Sequence, residues 1–229
     1  MKILLVAATN FEIGPLLQSL KEYERQPMHY RLDGITLEVL ITGVGLPLAA
    51  FALGHRLANR SYDLLLQAGV GGAIDRTIPL GSVVQLISDC FADLGVEEAD
   101  GSFTSMHEMG LVPADQFPFK SGRLWLSMEE APSFLPTAHG VSVNRVHGAE
   151  DTIEAFKKKY AFAQVESMEG ASFCYAALQH GIKAIQIRAI SNYVERRQRE
   201  NWELEKAIEN LNSILLEMIQ SLAEQQKTE

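Results

Sequence analysis

Two cysteines, Cys90 and Cys174, are too few in 229 residues for a disulfide framework, and no metal-ligand spacing surrounds either. Both read as reduced core residues. Basic residues are outnumbered, 20 Lys and Arg against 29 Asp and Glu, and the resulting net charge of -9 argues against a nucleic-acid surface. No apolar run reaches membrane-spanning length. The opening "MKILLVAATN" stops at polar Thr9 and Asn10 and lacks a signal-peptide cleavage pattern, so a cytoplasmic location with no membrane partner is the expectation. Internal repeats and low-complexity tracts are missing as well. What remains is an ordinary globular composition, 47% hydrophobic and 21% charged, which predicts one domain over 1–229 and a small-molecule partner.

Strand and helix patterns alternate along the chain. Lys2 to Ala8 is an apolar strand, followed by a helix in "NFEIGPLLQSLKEYE" whose start is blurred by Gly14 and Pro15. Asp33-Gly34 predicts a hairpin turn. "GVGLPLAAFALGHRLANR" predicts a helix with Pro47 in its first turn and Leu48, Phe51, Ala52 and Leu57 along one face. "YDLLLQAGVGGAI" is a buried strand running into a glycine-rich turn, and "GSVVQLISD", "GVSVNRV", "FAQVES" and "IKAIQIRAIS" are short strands. "MEGASFCYAALQHG" is a helix stopped by Gly181, and "WELEKAIENLNSILLEMIQSLAEQ" is a C-terminal helix with a frayed tail, "QQKTE". The alternation indicates an α/β sandwich with a mixed, largely parallel sheet, its working edge beyond the strand C-termini. Between Asp100 and Arg123 the pattern fails, which predicts a long functional or interfacial loop.

Three strand ends carry polar groups: "ATNFE", "VESMEG" and "IRAISN". If those strands are neighbours, Glu12, Glu169, Arg188 and Asn192 converge on one crevice. In this order, with "TGVG" and "AGVGGA" between the first two, the segments resemble the nucleoside hydrolase and phosphorylase superfamily that includes methylthioadenosine/S-adenosylhomocysteine nucleosidase. The likeness spans nearly the whole chain. "FADLGVEE", Phe91 to Glu98, is similar to the futalosine hydrolase branch, whose members release hypoxanthine from futalosine in an alternative menaquinone pathway.

The resemblance implies a nucleoside phosphorylase-like three-layer sandwich, a homodimer or higher oligomer, a purine nucleoside substrate, and no metal or organic cofactor. It also implies roles. Glu12 matches the carboxylate that takes a proton from the attacking water, and Arg188 a residue near that water. Glu169 matches the carboxylate that holds the ribose 2′ and 3′ hydroxyls, with Met168 on the sugar face and Gly71 of the glycine turn beside the substrate. Taken without the resemblance, Glu12 and Glu169 equally suit the first turn of a helix, and Arg188 a structural ion pair.

Asn192 stands where the adenine-specific nucleosidases have an aspartate. Its amide donates to N7 and to a 6-oxo oxygen, which predicts a 6-oxopurine, but it has no proton to give up. Capping the chain after a strand is its other reading. The phosphate-binding arginines of the phosphorylases are missing from "AATNFE" and "DLLLQAGVGG", so water is the expected nucleophile, although Arg76 keeps phosphorolysis open. "VHGAEDTI", Val146 to Ile153, corresponds to a base-stacking loop without an aromatic residue, where Thr152 and Ile153 offer backbone hydrogen bonds. Arg145, His147 and His107 are candidates for the carboxylate of the futalosine side arm, and Glu166 reads as a surface or ion-pair residue.

Overall fold

The computed structural model describes residues 1–127 and 135–228. Its first half runs β1 (Lys2–Ala7), α1 (Asn10–Ser19), β2 (Glu24–Gln26), β3 (His29–Leu32), β4 (Ile35–Ile41), α2 (Leu46–Asn59), β5 (Leu64–Ala73) and β6 (Val83–Asp89). The expected loop follows, but it contains β7 (Gly95–Glu97) paired with β8 (Phe103–Ser105), then β9 (Phe119–Lys120) and β10 (Arg123–Trp125). The second half adds β11 (Thr137–Ser142), α3 (Glu150–Lys159), β12 (Val165–Ser167), α4 (Gly170–His180), β13 (Lys183–Tyr193) and α5 (Leu204–Thr228).

Alternation along β1 sets the layers. Ile3, Leu5 and Ala7 pack with Ile13 and Leu16 of α1 and Leu211 and Leu215 of α5, whereas Leu4 and Val6 pack with Leu53 of α2 and Phe173 of α4. Side chains of period two thus feed one helical layer on each face, and the three-layer sandwich follows. β1 runs parallel to β4 and β5, and β5 parallel to β13, in keeping with the mixed, largely parallel sheet expected; β3 and β4 form the expected hairpin, with Gly34 at φ +79°.

Beyond β5 the sheet does more than stay open. β5 pairs with both β13 and β12, β13 with β6, β6 with β11, and β11 with β12, so five strands close on themselves. Ala73, Val84, Leu86, Ala138, Val165 and Ile190 fill the ring. The two longest strands, β5 and β13, bend around it, and β13 shifts register between Ile190 and Asn192. A bulge at such a place bends the strand and re-aims the side chain beyond it, here Asn192.

Several local expectations are corrected. Helix α1, whose start the sequence leaves open, begins at Asn10 and runs through Pro15. Helix α2 buries Leu46, Ala49, Leu53 and Leu57, leaving Leu48 and Phe51 exposed, because the adjacent i, i+3, i+7 stripe is the one that meets α4. "EDTIEAFKKK" is helix α3, with acidic residues in its first turn, lysines in its last, and Ile153 and Phe156 buried. The tail is helical through Thr228, with Gln226 against Gly34; Glu229 lies outside the described residues. Helix α4 ends at Gly181 in the left-handed conformation, as expected. Both cysteines are buried and unpaired. No helix of the described residues is long and apolar enough to cross a membrane.

Candidate active site

A cavity of about 360 Å³ opens at the C-terminal ends of β1, β5, β12 and β13, and Glu12, Gly71, Met168, Glu169 and Asn192 all line it. Five of the eight residues singled out from the sequence are therefore brought together. Glu12 sits in the first turn of α1, where its Oε2 accepts from the Thr9 N–H at 2.9 Å, while Oε1 accepts from the Val70 N–H at 3.2 Å across the mouth of β5. Burial raises the Glu12 carboxyl above the ordinary carboxylate range; Arg188 acts against this and the charge of Glu169 adds to it.

The backbone of Glu12 is held from the far end of the chain. Pro15 interrupts the helical ladder of α1, and buried Asn212 of α5 fills the gap: its Oδ1 accepts from the Leu16 N–H at 2.9 Å and its Nδ2 donates to the Glu12 carbonyl at 2.9 Å. The broken turn thus keeps both groups satisfied.

Glu169 precedes α4. Its Oε1 accepts from the Gly45 N–H at 3.0 Å, which the positive φ of Gly45 turns toward it, and its Oε2 faces Arg188 Nη1 at 3.4 Å. Arg188 itself is only 1% exposed and does not line the cavity. It lies behind Gly69, where an added Cβ would stand 2.5 Å from Arg188 Nη1 and 2.8 Å from Glu12 Oε1. The resemblance implies a place near the attacking water and the residues alone an ion pair; the structure buries Arg188 beneath the floor, as the counter-charge beside two carboxylates.

Asn192 is oriented by its neighbours. Its Nδ2 donates to the Tyr193 carbonyl at 2.9 Å, and the Ser191 hydroxyl donates to its Oδ1 at 2.8 Å. A carbonyl only accepts, so the network fixes which end of the amide is NH₂.

Behind α4 lies a second polar layer. Asp89, fully buried, accepts from Ser142 Oγ at 2.9 Å, the Cys90 N–H at 2.8 Å and Gln186 Nε2 at 2.8 Å, and Ser142 Oγ in turn accepts the Ala171 N–H at 2.8 Å. A Cβ on Gly170 would stand 2.1 Å from Asp89 Oδ2, so the helix that presents Met168 and Glu169 rests on this carboxyl. Burial pushes Asp89 up to about 6, against its hydrogen bonds to Gln186 and Ser142 and the charge of Arg188.

Thr152 and Ile153 do not reach the cavity. Both belong to α3: the Ile153 N–H is bonded to the Ala149 carbonyl, its side chain is buried against that helix's own core, and Thr152 Oγ1 also donates to Ala149. Among the side-arm candidates, Arg145 is exposed away from the cavity and His107 is bound to the Val112 carbonyl beside Phe119. His147 lines the cavity, but as the partner of Glu166, which is buried rather than on the surface. The sequence reading missed Arg196, Arg197 and Trp202, which line the cavity from the segment joining β13 to α5; the Arg197 guanidinium lies 5.2 Å from the Trp202 ring centroid. The signal was the basic run "ERRQRENW", which begins three residues after Asn192 of "ISN".

Comparison with known proteins agrees with this geometry. The family model described as Phosphorylase superfamily matches residues 2–220. Futalosine hydrolase of Streptomyces coelicolor is 31% identical over 187 residues, 76% of this chain and 78% of that one, and futalosine hydrolase of Thermus thermophilus is 30% identical over 183 residues, 79% and 80% of the two chains. Among solved structures, the methylthioadenosine/S-adenosylhomocysteine nucleosidase of S. pneumoniae with a transition-state inhibitor has a TM-score of 0.78 at 19% identity, covering 97% of this chain and 100% of that one. The futalosine hydrolase structure of Helicobacter pylori also has a TM-score of 0.78, at 16% identity and coverage of 96% and 98%. At those identities the structures establish the shared fold. The chain belongs to the phosphorylase superfamily and, within it, to the futalosine hydrolase family.

Proposed function

We propose that this protein hydrolyses the N-ribosidic bond of futalosine, releasing hypoxanthine and the dehypoxanthinyl product for menaquinone formation. The observation that carries the reading is the meeting of Glu12, Glu169 and Asn192 on one cavity. The named relatives add the substrate.

Cleaving the bond makes the sugar oxocarbenium-like while negative charge grows on the purine. Glu12, raised by burial, is poised to take a proton from the attacking water, a contribution of typically ~10²–10⁴-fold. Glu169, anchored by Gly45 and faced by Arg188, keeps lone pairs for the two ribose hydroxyls, and Met168 covers the sugar. Asn192 presents to a 6-oxopurine the amide N–H that Tyr193 does not take. Arg196 and Arg197 supply the cations that the side-arm carboxylate requires. Arg76, paired with Glu195 at 2.6 Å and packed over Tyr193, does not line this cavity, which supports water over phosphate as nucleophile.

The chain acts as a single cytoplasmic domain without metal or organic cofactor, in a homodimer or higher oligomer. Phe51, 77% exposed, and Leu48 on α2, with Leu111 and Phe117 on the loop before β9, are the apolar surface that supports assembly. Incubating the purified protein with futalosine, inosine and methylthioadenosine, with and without phosphate, and following base release by chromatography tests the proposal. Hypoxanthine from futalosine without phosphate is the expected result. Adenine as the main product, or phosphate dependence, would replace it.

A further inference from the structure

Asn192 leaves one task unassigned. A purine anion departing past an amide gains hydrogen bonds but no proton. Opposite that amide stands a pair the mechanism above does not use.

Glu166 and Asn192 flank the same bare glycine. Glu166 on β12 is the antiparallel partner of Gly72, and Asn192 on β13 is its parallel partner. Directly opposed residues of an antiparallel pair project to the same face, and a Cβ added at Gly72 would stand 3.1 Å from Asn192 Nδ2. Both side chains therefore leave the sheet on one side, with Gly72 between them, and all three residues line the cavity. Glu166 is only 4% exposed, and both of its oxygens are engaged by one residue: Oε1 accepts the His147 N–H at 3.1 Å, and Oε2 pairs with the His147 ring at Nδ1. The other side of the ring is packed on Phe156, centroids 4.1 Å apart. With Nδ1 committed, Nε2 is the remaining polar atom of a ring that lines the cavity, and it makes no hydrogen bond among the described residues.

We propose that His147, held by Glu166, is the general acid that protonates the departing base; this rests on the reading of the cavity as a nucleosidase site. In its protonated form the imidazole is ion-paired at Nδ1 and offers the Nε2–H to the purine. The C1′–N9 bond breaks with its electron pair going to the purine, the Nε2 proton moves to a purine ring nitrogen, and the base leaves neutral. Water adds to C1′ and its proton passes to Glu12. One proton is lost by His147 and one gained by Glu12, and exchange with solvent restores both. Glu166 is a positioning residue, holding the ring through Nδ1 and the backbone N–H.

The test separates proton donation from scaffolding by the leaving group. A purine methylated at N7 leaves as a neutral molecule without protonation. His147→Gln is expected to lower kcat on futalosine by about 10²–10⁴-fold, and on N7-methylfutalosine by less than about tenfold. Glu166→Gln should show the same selectivity, with Glu166→Asp partly restoring turnover. Imidazole added to His147→Gly should recover activity on futalosine. Equal losses on both nucleosides, or an unchanged rate on futalosine, overturn the proposal. Should the wild-type protein cleave another purine nucleoside instead of futalosine, the substrate reading fails on its own, and the same pair of measurements is made on that nucleoside and its N7-methyl form.

Discussion

Asn212 donates to the Glu12 carbonyl at 2.9 Å, joining residues 200 apart in the chain at the one turn of α1 that Pro15 leaves open. Replacing it with leucine strands the buried Glu12 carbonyl and the Leu16 N–H. We expect a loss of about 1–3 kcal/mol in denaturant unfolding, together with a fall in kcat larger than the change in KM, since the turn carries the base. An Asn212→Leu variant with wild-type turnover would show that α1 holds Glu12 unaided.

Gly69 is where floor and carboxylates meet. An alanine there sets a methyl group 2.5 Å from Arg188 Nη1 and 2.8 Å from Glu12 Oε1, closer than any van der Waals contact allows. Gly69→Ala is expected to cut kcat at least ~10²-fold, because even a 1 Å displacement of a catalytic group has that effect. Steady-state kinetics with a parallel thermal melt distinguishes displacement from unfolding, and full activity would contradict the packing described.

At residue 192 an aspartate would point a carboxylate oxygen at the Tyr193 carbonyl, where the amide now donates at 2.9 Å. That repulsion favours a protonated acid whose one O–H is donated to the Tyr193 carbonyl, which leaves its oxygens free to accept from a 6-amino group and no N–H for a 6-oxo oxygen. Asn192→Asp should therefore lower hypoxanthine release and improve cleavage of a 6-aminopurine nucleoside. If the ratio of the two kcat/KM values does not move, specificity resides elsewhere in the cavity.

Asp89 gives stability a pH dependence of definite sign. Its carboxyl is pushed up to about 6 by burial, so the folded protein holds a proton that the unfolded chain has already released. The contribution is complete below the ordinary aspartate value and is lost as pH rises through about 6, amounting to about 3 kcal/mol. Unfolding by denaturant at several pH values between 4 and 7 should show wild-type stability falling relative to Asp89→Asn over that interval. Glu12, raised in both proteins, cancels in the difference. Parallel curves would mean that Asp89 is ionised throughout.

Much of the architecture was legible because it is local. The alternation in "KILLVA" feeds two cores, the Asp33-Gly34 turn closes β3 on β4, and Gly181 stops α4, each from a signal a few residues wide. Helix α2 was misread at its face, since Leu48 and Leu46 are equally apolar and only the position of α4 decides which is covered. Helix α3 was missed although its acidic start and lysine end were in plain view, and with it the placement of Thr152 and Ile153 was lost.

The site divides along the same line. Its polar residues near strand ends, Glu12, Glu169 and Asn192, stand out in the sequence by themselves, because a charged or amide group closing an apolar run is visible without knowledge of its neighbours, and the family resemblance supplies their roles. The partnerships were decided by tertiary structure: Asn212 against Glu12, Arg188 beneath Gly69, and Glu166 bound to His147 across Gly72 from Asn192. Each joins segments that are distant in the chain. Strand register and helix placement bring them within hydrogen-bond reach, and both are set by how the whole core packs.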